Sequence, residues 1–221
     1  MPLKRVLEPE VMDSPEEATD YDSMDHAAVN QKFVEDLLAV CPSPGDTLDL
    51  GTGTALIPIA LCRAEPDCRV LAADAAVSML ELARYNVEAA GLIHRIQLSH
   101  VDAKKLPFED GMFSTVMSNS IVHHIPEPAE VLAEAVRVTA DGGLLFFRDL
   151  LRPEDQATLD QLVATYAADC NEHQRRMFAE SLHAALSLDE IRELVARLGF
   201  DPATVLQTSD RHWTWSARKL T

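Results

Sequence analysis

A short apolar run, Thr47-Leu48-Asp49-Leu50, breaks into Gly51-Thr52-Gly53-Thr54 and then into Ala55-Leu56-Ile57-Pro58-Ile59-Ala60-Leu61. Strand, glycine bend and helix in that order commit this part of the chain to an α/β unit. Gly51 and Gly53 remove side chains where the backbone must turn, so a ligand can approach the main chain closely. The first N–H groups of the helix point back at the bend and form a polar cradle. A dinucleotide fingerprint would carry a third glycine, Gly-x-Gly-x-x-Gly, to let helix and strand pack closely. That position is Leu56, so the pattern fails there. Asp49, two residues before the first glycine, would face a diphosphate unfavourably and suits an ammonium group. A ligand with an ammonium beside the bend and a ribose further on fits, and S-adenosylmethionine is such a ligand.

The rest of the chain alternates in the same way. Strands are expected at 47–50, 69–73, 96–99, 113–118 and 144–147, the last entered from an Asp141-Gly142-Gly143 turn. Helices are expected from 55 to 64, 76 to 90 and 129 to 138. An earlier helix, capped by Asp25, carries Val29, Phe33 and Leu37 on one face. Alternating β and α elements with short connections imply a parallel sheet covered on both faces. Such sheets bind ligands at the carboxyl ends of their strands, at the switch point of strand order. Asp49, Asp74, Asp102 and the Ser118-Asn119-Ser120 segment all fall at or just past successive strand ends.

Residues 1–24 are acidic, proline-containing and without period, and read as a mobile leader to a single domain over 25–221. Residues 152–186 interrupt the alternation with helices and read as a lid. Ser187-Leu188-Asp189-Glu190 has the form of a capping box, and Gly199 closes the helix it opens. Segments 203–207 and 212–217 are expected to pair as the last two strands, with Trp213 and Trp215 on one face.

The chain has 221 residues and a formal net charge of −17. That charge argues against a nucleic-acid or anionic-membrane surface, because neutralising phosphates needs clustered Lys and Arg. The four cysteines form no CxxC pair and none has the spacing of half a zinc site. They read as reduced thiols of a cytoplasmic protein. No apolar run approaches a membrane span. No metal is expected, and the sequence leaves a homodimer open.

These residues resemble the class I S-adenosylmethionine-dependent methyltransferases, in the small-molecule branch that includes the ubiquinone/menaquinone-biosynthesis type. The likeness is carried by residues 48–54, 73–80, 102–108 and 113–124, and by the Gly142-Gly143 turn; it covers roughly residues 45–150. It implies a doubly wound, mostly parallel seven-stranded sheet with helices on both faces, the Rossmann-like methyltransferase fold, ending in an antiparallel strand pair. It also implies a methyl transfer from S-adenosylmethionine to a small-molecule acceptor, leaving S-adenosylhomocysteine. On matching positions, the backbone of Gly51, Thr52 and Gly53 would lie against the methionine part, with Asp49 near its ammonium. Asp74 would hold the ribose hydroxyls, and Ala75 and Met79 would flank the adenine. Asp102 would accept from the adenine amino group, with the Ala103 N–H on a ring nitrogen. Ser118 and Asn119 would make backbone contacts near the methyl donor. The family often has glycine at the position of Ala55.

The acceptor side is less legible. His123 and His124 are the candidates for the catalytic wall, where a histidine could serve as base if the acceptor must lose a proton. Tyr21, His26, Arg148 and Asp149 are candidates for the acceptor pocket. Two other readings stay open: a silent S-adenosylmethionine-binding regulatory protein, and a nicotinamide-dependent oxidoreductase, against which Leu56 and Asp49 weigh.

Overall fold

Runs of five to seven residues with buried apolar positions, each leading to a helix or turn, build the parallel part of the sheet. The computed structural model describes residues 3–8, 13–22 and 27–220, apart from the side chains of residues 15, 17, 20 and 21. The expected cap Asp25 and the pocket candidate His26 lie outside the described residues, as does the Tyr21 side chain. The helices are α1 (Pro15–Asp22), α2 (Ala27–Val40), α3 (Leu56–Ala64), α4 (Val77–Ala89), α5 (Pro128–Val138), α6 (Gln156–Tyr166), α7 (Glu172–Ala184) and α8 (Leu188–Arg197). The strands are β1 (Asp46–Leu50), β2 (Arg69–Asp74), β3 (Ile96–His100), β4 (Phe113–Asn119), β5 (Thr139–Leu150), β6 (Val205–Gln207) and β7 (His212–Arg218).

The seven strands lie in the order β3-β2-β1-β4-β5-β7-β6. β1 pairs in parallel with β2 on one side and β4 on the other, and β6 and β7 are antiparallel with Val205 opposite Trp215. Strand order reverses at β1, which puts the switch point between β1 and β4. This is the doubly wound, mostly parallel sheet expected from the sequence.

Packing divides the chain into two compact units. One comprises residues 11–119, 130–147 and 216–221; the other comprises 1–10, 120–129 and 148–215. In the first, Phe33 and Leu37 of α2, Leu61 of α3 and Val87 of α4 join strand residues Val70, Ala72, Met117 and Phe146 in one buried cluster. Phe33 meets Phe146 edge to face, with ring centroids 5.1 Å apart. In the second, Leu159 and Leu162 of α6 pack with Leu182 of α7 and Leu150. Among the described residues no helix is long and apolar enough to cross a membrane.

Three details differ from the sequence reading. The leader contains α1, whose Ala18 packs on Ala76 and Met79. Residues 3–8 are also tied down: the Leu3 N–H donates to Glu154 O at 3.1 Å and the Val6 N–H to His183 O at 3.1 Å. β5 runs from Thr139 to Leu150, well beyond 144–147. Gly142 adopts a left-handed φ of 74° inside it, yet Gly142 N–H and Gly143 O both pair with Lys219, so the ladder continues through the presumed turn. Arg148 and Asp149 are therefore strand residues and are not part of a loop after the strand.

Candidate functional site

The cradle forms where β1 ends. Gly51 (φ 70°) and Gly53 (φ 54°) both take left-handed backbone, which a side chain would strain. The N–H groups of Gly51 and Thr52 donate to Ala73 O of β2 at 2.9 and 3.0 Å, folding the loop against the neighbouring strand. Ala55 also sits at a left-handed φ of 63° and is fully buried. Where the family often has glycine, this chain therefore accepts backbone strain of about 1–2 kcal/mol. The hydroxyl of Thr54, just past Gly53, is buried without a hydrogen-bond partner, whereas the Thr52 hydroxyl before it engages the Asp49 carboxyl. Buried polar atoms are normally satisfied, so an unsatisfied hydroxyl beside a glycine bend fits a bound polar ligand.

Asp49 lies in the middle strand of this region, 2% exposed, opposite Ala72 of β2 and Met117 of β4. Burial pushes its carboxyl up to about 7 against the lowering effect of the Thr52 hydroxyl, and the charge of Asp74 adds to the rise. A buried carboxylate of this kind gains most from a cation placed beside it.

Asp74 ends β2 and ties two turns together. One of its oxygens accepts the Gly53 N–H at 2.8 Å and the other the Ala76 N–H at 2.8 Å. It thus holds the cradle in shape, and a carboxylate retains lone pairs to receive ribose hydroxyls. Ala75 follows, with its carbonyl 3.0 Å from His100 Nε2, and Met79 is buried on α4. Asp102, just past β3, is mostly exposed and accepts the Lys104 N–H at 2.9 Å; Ala103 beside it is buried. Ser118 is buried at the end of β4 and donates its hydroxyl to Leu50 O at 2.8 Å, with Asn119 following. The strand ends thus bring Asp49, the glycines, Asp74 and Ser118 to one edge of the parallel sheet, as the spacing predicted.

Sequence reasoning missed Asp13. Its carboxylate accepts the Ser78 N–H at 2.9 Å and so caps α4, whose own N-cap residue, Ala76, has no side-chain cap. Only a residue from the leader, far away in sequence, supplies this cap, and no local pattern could reveal it. Asp13→Ala is expected to lower the melting temperature by about 2–4 °C. A thermal melt of the variant that matches wild type would show the cap to be dispensable.

The second unit holds a separate polar cluster. The chain leaves β4 through Ser120 at a left-handed φ of 62° and enters a short 3₁₀ turn, Val122–His124. Asp149 anchors that turn. Its Oδ2 accepts the N–H groups of Val122 (2.5 Å) and His123 (3.2 Å), while its Oδ1 accepts the Leu150 N–H (2.6 Å) and lies 2.5 Å from His123 Nδ1. The other ring nitrogen of His123 lies 3.3 Å from Glu8 Oε1, and His124 Nδ1 lies 3.0 Å from the same oxygen. Burial disfavours charge on His123, Asp149 and Glu8, but pairing outweighs it. His123 is raised by Asp149 and Glu8; Asp149 is held low by His123, and Glu8 by His124 and His123. Arg5 fixes the same turn from outside, donating to the carbonyls of Ile125 (2.9 Å) and His123 (3.3 Å). Arg148 is buried and donates from Nε to Thr214 Oγ1 at 2.9 Å. Glu8 and Arg5 also went unseen in the sequence, because they sit in an aperiodic acidic leader.

Comparison with known proteins identifies the family. Residues 48–147 match the family described as "Methyltransferase domain". A malonyl-[acyl-carrier protein] O-methyltransferase of Geobacter sulfurreducens is 30% identical over 197 residues, covering 87% of this chain and 70% of that protein. A demethylmenaquinone methyltransferase of Thermus thermophilus is 37% identical over 108 residues, which is 49% of this chain and 48% of that protein. Among solved structures, a SAM-dependent methyltransferase from Aquifex aeolicus superposes with a TM-score of 0.70 at 18% identity, covering 94% of this chain and 99% of that one. With the glycine cradle, the strand-end aspartates and this relationship over most of its length, the chain belongs to the class I S-adenosylmethionine-dependent methyltransferases.

Proposed function

We propose that this protein transfers a methyl group from S-adenosylmethionine to an oxygen of a small molecule, by in-line displacement. The observation that carries the reading is Asp49, a buried carboxylate at the end of the middle strand beside two left-handed glycines. It matches the ammonium of the cofactor, and Asp74 and the unsatisfied Thr54 hydroxyl match its other polar groups. In this assignment the Gly51-Thr52-Gly53 backbone lies along the methionine part and Asp74 receives the ribose hydroxyls. Ala75 and Met79 flank the adenine, Asp102 and Ala103 read its edge, and Ser118 and Asn119 border the methyl donor. The bound cofactor supplies an electrophilic methyl on a sulfonium. The chain's own task is alignment and exclusion of water, which is most of what such a displacement requires.

Oxygen is favoured as acceptor atom because the Geobacter relative, alike over most of both chains, is named an O-methyltransferase. A carboxylate acceptor has no proton to lose and needs no base. Accordingly, we give His123 and His124 no proton-transfer role: both ring nitrogens not bound to Asp149 that approach a carboxylate face Glu8. Incubating the full chain with S-adenosylmethionine and a panel of small carboxylic acids and hydroxy compounds tests this. S-adenosylhomocysteine should appear only with an acceptor, and methyl ester or ether should be recovered in equal amount. Tight cofactor binding without turnover across the panel would replace this reading with that of a silent binding protein.

A further inference from the structure

We propose that Glu8, His123 and His124 form a binding site for a divalent transition metal, best suited to zinc. Each offers one ligand atom, and the three atoms lie within 4.8 Å of one another. Two edges of the triangle are measured directly: Glu8 Oε1 to His123 Nε2 is 3.3 Å and to His124 Nδ1 is 3.0 Å. Bonds of about 2.0–2.1 Å meeting near the tetrahedral angle separate ligand atoms by about 3.3 Å, so these edges fit a zinc polyhedron.

Two further observations point to a ligand. His124 Nδ1 is buried 3.0 Å from Glu8 Oε1, the same carboxylate oxygen that lies 3.3 Å from His123 Nε2. Two imidazole nitrogens meeting at one carboxylate oxygen bring three donor atoms to one point, as a bound ion needs. His123 also has the support typical of a metal-bound histidine: its Nδ1 is held at 2.5 Å by Asp149, which leaves Nε2 to coordinate. Glu8 is supported in turn by the Ser181 hydroxyl, 3.1 Å from Oε2 and 3.3 Å from Oε1. Binding displaces any proton on His123 Nε2 to solvent and forms three coordinate bonds, with no redox change. Three protein ligands leave a fourth position open to water or to an oxygen of a small molecule. The His124 side chain is 18% exposed and that of Glu8 is 11% exposed, which provides a route in.

Calorimetric titration of the chelator-treated full chain with Zn²⁺ tests the site, and it does not depend on methyl transfer. One equivalent should bind, and Glu8→Gln and His124→Ala should each weaken binding at least tenfold. Glu8→Gln keeps an oxygen to accept from Ser181, and a thermal melt confirms that it folds. Absence of binding, or binding unchanged in both variants, overturns the proposal. Co²⁺ on the unmodified chain gives an independent check, since the four cysteines are free thiols. A tetrahedral visible spectrum without thiolate charge transfer supports the His/Glu set. A thiolate band, or the weak spectrum of an octahedral aqua ion, overturns it.

Discussion

Asp74→Ala is expected to raise the dissociation constant for S-adenosylhomocysteine by at least about 100-fold, because it removes about 3 kcal/mol of hydrogen bonding to the ribose. The loss has two origins. The carboxylate is the ribose acceptor in the proposed assignment, and it also holds the Gly53 and Ala76 N–H groups at 2.8 Å, so the loop loses its shape. Asp74→Asn separates the two. Its single carbonyl oxygen can still serve one N–H, and affinity should fall by about tenfold, between wild type and alanine. The core clusters do not use Asp74, so both variants should unfold cooperatively in a thermal melt. Wild-type affinity in Asp74→Ala would remove the ribose from this position.

The second large effect is on pH. Burial, helped by Asp74, raises Asp49 to about 7 in the free protein, against about 3.9 in an unfolded chain. The sign follows from which form the cofactor wants. An ammonium prefers ionised Asp49, so binding must expel the proton below about pH 7, and affinity should rise with pH until that point. Between about pH 8 and about pH 5 the dissociation constant for S-adenosylmethionine should increase by up to about 100-fold. Stability should run the other way: the folded state binds more protons than the unfolded state between about pH 4 and about pH 7, so stability falls as pH rises through that window. Asp49→Asn should flatten the pH profile of binding while lowering affinity at about pH 8. A pH-independent dissociation constant in the unmodified chain would show that Asp49 does not meet the ammonium.

The parts of the molecule that the sequence disclosed are those made by local chemistry. The glycine bend after β1 and the aspartate at the end of β2 announce themselves because strand, turn and helix follow one another within a few residues. The Ser187–Glu190 capping box is present as expected, with the Ser187 side chain accepting from the Glu190 N–H and the Glu190 side chain from the Ser187 N–H. Reading failed where the partner is remote or where backbone conformation overrides residue type. Gly142 read as part of a turn before a strand and lies within one, because pairing with Lys219 carries the ladder across it. Asp13 capping α4 and Glu8 meeting His123 and His124 join an aperiodic leader to distant elements. No periodicity or spacing encodes such contacts; only the folded chain brings them together.

The most direct test of the account is calorimetric titration of the full chain with S-adenosylmethionine and S-adenosylhomocysteine, with NAD as control. The glycine cradle, Asp49 and Asp74 predict one site that takes both sulfur compounds in the micromolar range and leaves NAD unbound. Failure to bind either sulfur compound would contradict the assignment of this cradle as a cofactor site.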